Sequence, residues 1–282
     1  MATKTFSIDI KEYCEVQKEL IKDMITTFGN PPTLAVIQVG NDEASNRYIK
    51  HKKKDCEEVG IIFEWYHFDE TITTEQLILE ITDLLPYVDA MLVQMPLPQH
   101  IDATAIKLAI DPAKDVDGLH PMSHFDPCTP LGIIQYCQMN EFDFSGKNVV
   151  ILGRSDIVGK PLARMLTDLD ATVTLCHSKT KSMWNYLNRS DLIITAVGQA
   201  GFLNCYSIHV PVIDVGINFD QNGTLMGDCY NTENREVTPV PGGVGLLTRL
   251  ALLQNVCRAR YTELLNEIKK IDEVENGNDC SE

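Results

Sequence analysis

The residues from Pro239 to Gly245 combine two prolines with three glycines directly before an apolar helical pattern. Glycine lets the backbone approach a ligand closely, and the free N–H groups at a helix start attract an anion or a polarised group. A tight surface turn before a helix is the simpler interpretation of the same residues. Composition alone leaves both interpretations open.

Tyr48 and Lys52 lie four residues apart in a run that ends in three lysines, so on a helix they share one face. This pairing sets an aromatic platform beside an amine. A lysine serves as a general acid or base when burial or a neighbouring cation lowers its pKa, and Lys53 and Lys54 are candidate neighbours. A solvated basic helix face is the alternative.

Two further segments place polar groups after apolar ones. Gln94 ends an apolar strand pattern, and the carboxyl ends of strands are where open α/β sheets keep functional groups. Asp115 and Asp117 flank Val116 in a polar stretch and are suited to recognising amino and amide donors. Without a nearby histidine or glutamate they make a weak metal site, so we predict no metal. Structural turn carboxylates are the alternative.

A glycine turn joins a strand to a helix between Gly153 and Gly159. Such a turn places phosphate at a helix N-terminus in doubly wound domains, although the spacing differs from the G-x-G-x-x-G fingerprint. Arg154 lies inside the turn and is able to pair with a phosphate through two hydrogen bonds. A solvated loop arginine is the alternative.

Strands and helices must alternate to hold these groups in place. Apolar strand patterns begin near Thr33, Ile61 and Asp89, with helical patterns over Glu43–Val59 and Thr73–Leu85 between them. Residues 10–28 form a further helical pattern. Near-continuous apolar strands separated by helices are typical of a parallel sheet covered by helices.

Residues 111–130 interrupt this rhythm with a polar, proline-rich stretch that we interpret as a domain junction. A second series of strand patterns begins near Asn148, Thr172, Asp191 and Pro211, and a long helix is predicted after Gly245. The sequence therefore predicts two α/β domains, with a cleft between them as the place for a small-molecule site.

The overall charge of the chain disfavours some classes of binding partner. The 282-residue chain has a formal net charge of −16, which disfavours nucleic acid or an anionic membrane as the main partner. The N-terminal residues lack a long apolar stretch, and nine scattered cysteines form no C-x-x-C pair. We expect a cytoplasmic protein without a signal peptide, a membrane span or a disulfide framework.

Taken together, the motifs resemble the bifunctional methylenetetrahydrofolate dehydrogenase/methenyltetrahydrofolate cyclohydrolase (FolD-type) family. The matching segments cover about residues 33–256 in the family's order: Tyr48 with Lys52, Val93–Pro98, Lys114–Gly118, Pro127–Pro130, Gly146–Lys147, Gly153–Pro161, Cys176–Thr180, Ile213–Asn218 and Pro239–Gly245. An ordered set of this size is far more specific than any one of its motifs.

The resemblance implies NADP-dependent oxidation of 5,10-methylenetetrahydrofolate to the methenyl form and hydrolysis of that form to 10-formyltetrahydrofolate. It implies one-carbon folate metabolism with a link to purine biosynthesis, and a homodimer. A folate-binding catalytic domain is expected over residues 1–123 plus the helix 247–282. A Rossmann-like NADP-binding domain is expected over residues 124–246.

The resemblance also implies residue roles. Tyr48 stacks on the folate, Lys52 handles protons with Gln94 orienting it, and Asp117 binds the pterin. Pro241, Gly242 and Gly243 complete the expected substrate-binding set. The expected cofactor-binding residues are Gly153, Arg154, Ser155, Val158, Gly159, His177, Ser178, Thr180, Ala196, Val197, Gly198, Gly216 and Ile217.

The chain departs from the family pattern in places that support alternatives. Leu246 stands where the family usually has proline, and the stretches 119–126, 204–210 and 229–237 are shorter than usual. A single retained activity, cyclohydrolase or dehydrogenase, is therefore the alternative function. A catalytically silent nucleotide-binding or interaction module is disfavoured by the presence of Lys52 together with Tyr48, Gln94 and Asp117. Another NADP oxidoreductase, such as a shikimate-type dehydrogenase, is disfavoured by the Pro239–Gly245 segment.

Overall fold

The protein is described by a computed structural model that covers residues 6–230 and 236–277, with the helical backbone alone for residues 263–277. The chain divides into two compact units. We call them the three-stranded unit, which contains Lys18–Phe125 and the described residues from 252 onward, and the four-stranded unit, which contains residues 6–17 and Asp126–Ala251. Both contain a parallel sheet with helices, which confirms the predicted two-domain α/β class.

The N-terminal half of the chain alternates helices and strands as predicted. Its elements are α1 (Ile10–Phe28), β1 (Thr33–Val39), α2 (Glu43–Val59), β2 (Ile62–Phe68), α3 (Thr74–Leu84), a 3₁₀ turn (Leu85–Tyr87), β3 (Ala90–Val93) and α4 (Ala103–Ala109). The strands pair in parallel in the order β2-β1-β3. All three predicted strands are confirmed.

Strand β1 lies at the centre of this sheet, and its residues from Leu34 to Val39 are all buried. Alternate residues of β1 and β3 pack with Leu77 and Ile81 of α3 and with Ile106 of α4. Burial on both faces explains why every residue of the strand from Leu34 to Val39 except Gln38 is apolar.

The C-terminal half builds the second sheet. Its elements are α5 (Cys128–Met139), β4 (Asn148–Leu152), α6 (Gly159–Asp168), β5 (Thr172–Cys176), α7 (Trp184–Leu187), β6 (Leu192–Thr195), β7 (Val212–Asp214), β8 (Asn218–Phe219), β9 (Leu225–Met226) and α8 (Val244–Gly277). Strands β4 to β7 pair in parallel in the order β5-β4-β6-β7, which confirms the four predicted strands. The short strands β8 and β9 form a separate antiparallel hairpin.

Some elements of the structure are not predicted by the sequence patterns. Helix α5 begins at Cys128, so the last three residues of the stretch 111–130, which we interpret as a domain junction, are helical. Pro130 is compatible with the helix because the first turn has no intrahelical partner for its N–H groups. Helices α4 and α7 and the β8–β9 hairpin are short, and short elements carry little periodicity.

The bounds of the compact units differ from the predicted domain bounds at the N-terminal end. Residues 6–17 belong to the four-stranded unit, where the ring of Phe6 stacks on Tyr136 at 5.5 Å and the Tyr136 hydroxyl donates to the carbonyl of Ile8 at 3.1 Å. The functional division into residues 1–123 with 247–282 and residues 124–246 stays a prediction, as does the cleft.

No helix in the described part of the chain has both the length and the apolar character that crossing a membrane requires.

Candidate active site

Helix α2 positions the predicted proton-handling lysine. The helix starts where the Asp42 side chain accepts a hydrogen bond from the Ser45 N–H at 2.7 Å, and it ends at Gly60, whose φ of 92° lies in the left-handed region. These two caps fix the phase of the helix. Lys52 consequently lies on the buried face and is only 4% exposed.

The ammonium of Lys52 has two close neighbours. Its Nζ donates to Oε1 of Gln94 at 3.1 Å and lies 4.8 Å from the centroid of the Tyr48 ring. The second distance is within the range of a cation–π contact. The structure thus brings together three of the four predicted catalytic residues in the three-stranded unit.

Gln94 is held so that its amide oxygen faces the lysine. Its backbone N–H donates to the carbonyl of Ile37 in the central strand at 2.8 Å, and its Nε2 donates to the carbonyl of Met95 at 2.8 Å. With the amide nitrogen fixed in this way, Oε1 is the atom left to accept from Lys52. Gln94 therefore lies at the carboxyl end of β3, as the sequence predicted.

The neighbouring lysines contribute little to this site. Lys53 and Lys54 are both exposed, and the ammonium of Lys53 lies 3.7 Å from a carboxylate oxygen of Glu57. Water screens exposed charges strongly. The burial of Lys52 and its contacts with Gln94 and Tyr48 are what distinguish it from the solvated lysines beside it.

The loop that carries Asp117 is fastened beside β3. Lys114 donates from its ammonium to the carbonyls of Leu85 and Val88, at 2.6 and 2.8 Å, and its own carbonyl accepts from the Met91 N–H at 2.8 Å. Asn255 of α8 donates to the carbonyl of Val116 at 2.9 Å. These bonds hold the backbone on both sides of Asp115.

The two carboxylates of this loop do different work. Asp115 is 1% exposed and accepts from the His120 N–H at 2.7 Å, and burial raises the pKa of its carboxyl group. Asp117 is half-buried, and no described residue donates a hydrogen bond to its carboxylate. Asp115 is therefore a structural residue, whereas Asp117 keeps its acceptor oxygens available for a ligand.

The segment Pro239–Gly245 leads into α8 as predicted, in the four-stranded unit. Gly242 has a φ of 96°, which favours glycine, and it is exposed like Pro241. Gly243 is buried, and a Cβ atom there would overlap the carbonyl oxygen of Pro239. The carbonyl of Gly243 accepts from the Leu246 N–H at 2.9 Å, so leucine at this position joins the first turn of the helix.

The turn between β4 and α6 depends on its two glycines. Gly153 has a φ of 113°, and a Cβ atom on it would overlap the carbonyl oxygen of Ala196. A Cβ atom on Gly159 would overlap the carbonyl oxygen of Gly153. The backbone therefore folds tightly at the carboxyl end of β4, where doubly wound domains bind phosphate.

Polar groups surround this turn. Ser155 Oγ accepts from the N–H groups of Val158 and Gly159 at 3.2 and 3.4 Å, just before α6, and its hydroxyl proton is left to donate elsewhere. Arg154 is exposed, and no described residue forms a hydrogen bond or an ion pair with its guanidinium. The arginine is thus free to bind an anion at the start of α6.

The segment after β5 forms a second compact turn beside the first. Thr180 Oγ1 accepts from the His177 N–H at 2.9 Å, and the carbonyl of His177 accepts from the Thr180 N–H at 2.8 Å. Ser178 projects from this turn and is exposed. Because β4 and β5 are neighbours, the Gly153 N–H donates to the carbonyl of Cys176 at 2.9 Å, which ties the two turns together.

The remaining predicted cofactor residues follow β6 and β7. Ala196, Val197 and Gly198 continue β6, and the Ala196 N–H donates to the carbonyl of Leu152 at 2.8 Å. Gly216 is buried, whereas Ile217 is 64% exposed. The carboxyl ends of β4, β5 and β6 therefore hold most of the predicted nucleotide-binding residues along one sheet edge.

Models of one protein family match both halves of the chain. The chain matches the tetrahydrofolate dehydrogenase/cyclohydrolase catalytic domain over residues 2–117 and the NAD(P)-binding domain of the same family over residues 127–264. It is 42% identical over 273 residues to the bifunctional protein FolD of Bacillus licheniformis, covering 89% of this chain and 96% of that protein. This chain belongs to the tetrahydrofolate dehydrogenase/cyclohydrolase family.

Solved structures of the family superpose closely. The bifunctional FolD of Campylobacter jejuni has a TM-score of 0.86 at 40% identity, covering 90% of this chain and 98% of that one. The FolD of Trypanosoma brucei, complexed with NADP cofactor and an inhibitor, has a TM-score of 0.85 at 30% identity, covering 91% and 97%. The predicted family resemblance is confirmed.

In this member of the family, sequence reasoning gave no role to two buried acids. Asp214 ends β7, and Asp228 follows β9; they are 1% and 0% exposed. Burial raises the pKa of Asp214 to about 6, although three backbone N–H groups oppose the shift. One sequence feature could have indicated them: each acid lies within two residues of a glycine, Asp214 near Gly216 and Asp228 next to Gly227. A Cβ atom on either glycine would overlap a carboxylate of the pair.

Proposed function

We propose that this chain oxidises 5,10-methylenetetrahydrofolate with NADP and hydrolyses the methenyl product to 10-formyltetrahydrofolate. The observation that carries the proposal is the buried Lys52, which contacts both Gln94 and the Tyr48 ring. A buried amine between an amide and an aromatic ring is arranged for proton transfer to a flat, ring-containing substrate. The match of both family domains supports the two activities together.

The residues of the four-stranded unit fit a dinucleotide. A Cβ atom at Gly153 or at Gly159 would overlap a backbone carbonyl, so the chain turns tightly from β4 into α6, and the N–H groups at the start of that helix favour a phosphate. Arg154 and Ser155 would hold phosphate groups, and Ser178 would lie near the adenine ribose. NADP supplies the hydride acceptor for the oxidation, and this chain contributes binding and orientation.

Lys52 is the proposed proton carrier of hydrolysis. Water adds to the electrophilic methenyl carbon, and the neutral amine accepts a proton from that water. The resulting ammonium donates a proton to N5 as the bond between N5 and the carbon breaks, which leaves the formyl group on N10. The remaining hydroxyl proton of the water adduct is released to solvent as the C=O bond of the formyl group forms, so one proton is released overall. General acid–base catalysis by one positioned group accounts for both transfers.

The other residues orient the reactants. Gln94 keeps the Lys52 amine at a fixed position through its 3.1 Å hydrogen bond. The Tyr48 ring lies against that amine and offers a face on which a folate ring can stack. Asp117 would accept hydrogen bonds from the amino and ring N–H donors of the pterin. Pro241, Gly242 and Gly243 are proposed to line the substrate site.

A single assay distinguishes the proposed function from the single-activity alternative. Purified protein is mixed with methylenetetrahydrofolate and either NADP or NAD, and reduced cofactor and methenyl absorbance are followed together. Reduced cofactor without methenyl build-up is expected. Methenyl build-up would indicate a dehydrogenase alone. Hydrolysis of added methenyltetrahydrofolate without any cofactor reduction would indicate a cyclohydrolase alone.

Three finer expectations belong to the proposal. The protein is expected to be a homodimer in the cytoplasm, and its 10-formyl product is expected to serve purine biosynthesis. Family membership supports these expectations. Sedimentation velocity on the purified chain tests the oligomeric state.

A further inference from the structure

We infer that Asp228 is a positioning residue for the nucleotide site, because its buried carboxylate fixes the loop after β6 and the segment after β7 at the same time. The inference rests on the proposed NADP-dependent function. It concerns a residue that contacts neither substrate nor hydride acceptor and acts through the backbone of Ala196–Gln199.

The carboxylate of Asp228 accepts four hydrogen bonds. Oδ2 accepts from the hydroxyl of Thr195 at 2.9 Å and from the Val197 N–H at 2.9 Å. Oδ1 accepts from the Gln199 N–H at 2.9 Å and from the side-chain amide of Asn218 at 3.1 Å. Three of these donors belong to the end of β6 and its following loop, and the fourth belongs to the hairpin strand β8.

The site is built around this one group. Asp228 is 0% exposed, so its charge lacks water and depends on those donors. A Cβ atom at Gly216 would overlap the Asp228 carboxylate, and a Cβ atom at Gly227 would overlap the Asp214 carboxylate. The Asp228 carboxylate therefore occupies the space beside Gly216, and the Asp214 carboxylate occupies the space beside Gly227. Such reciprocal packing fixes both segments at once.

Asp214 completes the arrangement from the end of β7. Its Oδ1 accepts from the N–H groups of Gly216 and Asp228 at 2.8 and 3.1 Å, and its Oδ2 accepts from the Cys229 N–H at 2.8 Å. Asp214 thus holds the backbone of Asp228, and Asp228 holds the loop. Hydrogen bonds therefore connect the end of β7 to Asp228 and, through its carboxylate, to the loop after β6.

The fixed loop contacts the phosphate turn. The carbonyl of Ala196, between two residues that donate to Asp228, lies so close to Gly153 that a Cβ atom there would overlap it. A shift of the loop would therefore change the shape of the glycine turn in which Arg154 is held. Through this contact, the Asp228 carboxylate would influence the affinity for a dinucleotide without touching the dinucleotide itself.

The test compares Asp228→Asn with Asp220→Asn. An amide presents one acceptor oxygen and one NH₂ group that donates. In the Asp228→Asn variant that NH₂ group would face donors that bind the carboxylate in the unmodified protein, such as the Val197 or Gln199 N–H. Asp220, in the turn between β8 and β9, is a matched control, because its exposed carboxylate also accepts from backbone N–H groups, those of Asn222 and Thr224 at 2.8 and 2.7 Å. NADP affinity is measured by calorimetry, cyclohydrolase activity by methenyl absorbance, and loop order by amide hydrogen exchange.

We expect Asp228→Asn to weaken NADP binding about 10-fold or more, the loss typical of a hydrogen bond to a charged group. Cyclohydrolase activity should stay within about twofold of the unmodified protein, since the proposed proton carrier Lys52 and its partners Gln94 and Tyr48 lie in the three-stranded unit. In the ligand-free protein the Val197 and Gln199 amides should exchange faster. Asp220→Asn should match the unmodified protein in all three measurements.

Thr195→Val keeps the test decisive if the asparagine variant does not fold. It removes one donor to Asp228 while nearly preserving side-chain shape, and a several-fold weaker NADP affinity is expected. Unchanged NADP affinity in a folded variant would overturn the inference. Equal losses of NADP binding and cyclohydrolase activity would also overturn it, because they indicate general destabilisation. If the unmodified protein bound no NADP, the proposed function would fail, and this inference with it.

Discussion

Lys52 is set apart from its neighbours by burial. Replacing it with methionine preserves the apolar stem and removes the amine, so we expect Lys52→Met to lose cyclohydrolase activity by about 10²–10⁴-fold. Some dehydrogenase activity should survive, because hydride transfer depends mainly on orientation. Methenyltetrahydrofolate hydrolysis measured by absorbance checks this prediction. Lys54→Met, which changes an exposed lysine two residues away, is the matched control and should be silent.

Asp117 offers a second prediction at this scale. Asp117→Asn should weaken folate binding about 5- to 150-fold, because one ligand donor would lose its acceptor. NADP affinity should change little. Asp111→Asn is the control, since the exposed Asp111 in the same loop accepts from the Ala113 N–H at 2.8 Å. Equal damage to folate and NADP affinity would show that Asp117 merely supports the loop.

At the scale of elements, we predict that the strand–turn–helix unit β4–α6 selects NADP over NAD. The next strand, β5, ends in Cys176, and the turn that follows it carries no acidic side chain to select the 2′-hydroxyl of NAD. A charge-assisted bond from Arg154 to a 2′-phosphate would instead favour NADP about 10- to 150-fold.

Arg154→Ala should lower the NADP/NAD ratio of kcat/KM by about that factor and leave cyclohydrolase activity intact. Steady-state kinetics with both cofactors provide the measurement. Arg164→Ala removes an exposed arginine from α6 itself and should not change the ratio. A preference of the unmodified protein for NAD would contradict the assignment of Arg154.

The long apolar strands and the amphipathic helix α2 were predictable from sequence because burial on a sheet or on one helix face imposes a period. Gln94 was predictable as a candidate because the pattern placed it at the end of β3, and Lys52 because helical spacing put it on one face with Tyr48. The burial of Lys52 was not predictable, since a basic run is equally compatible with a solvated helix face. The role of Asp228 was not predictable from sequence, because it depends on hydrogen-bond donors that lie 10 to 33 positions away along the chain. Hairpin β8–β9 has two residues per strand, too few to show a period.

At the scale of the whole molecule, buried acids link stability to pH. Burial raises the pKa of Asp214 to about 6, and the charge of Asp228 adds to the shift. The native state therefore binds a proton more tightly than the unfolded chain, whose Asp pKa is about 3.9. The stabilisation is fully present below the unfolded value and is lost as pH rises through about 6.

The free energy of unfolding should consequently contain a component that falls between pH 4 and 6 by at most about 1.4 kcal/mol per pH unit. Asp214→Asn removes this component, so the difference between the two proteins should change with pH in that window and level off above it. Urea unfolding at fixed ionic strength measures the difference. Asp220→Asn provides a control that should show no such slope in this window, because hydrogen bonds from the Thr224 and Asn222 backbones lower the pKa of Asp220 and confine its pH-dependent contribution to pH values below about 4. A constant difference between the unmodified protein and Asp214→Asn from pH 4 to 7 would show that Asp214 titrates alike in the folded and unfolded states.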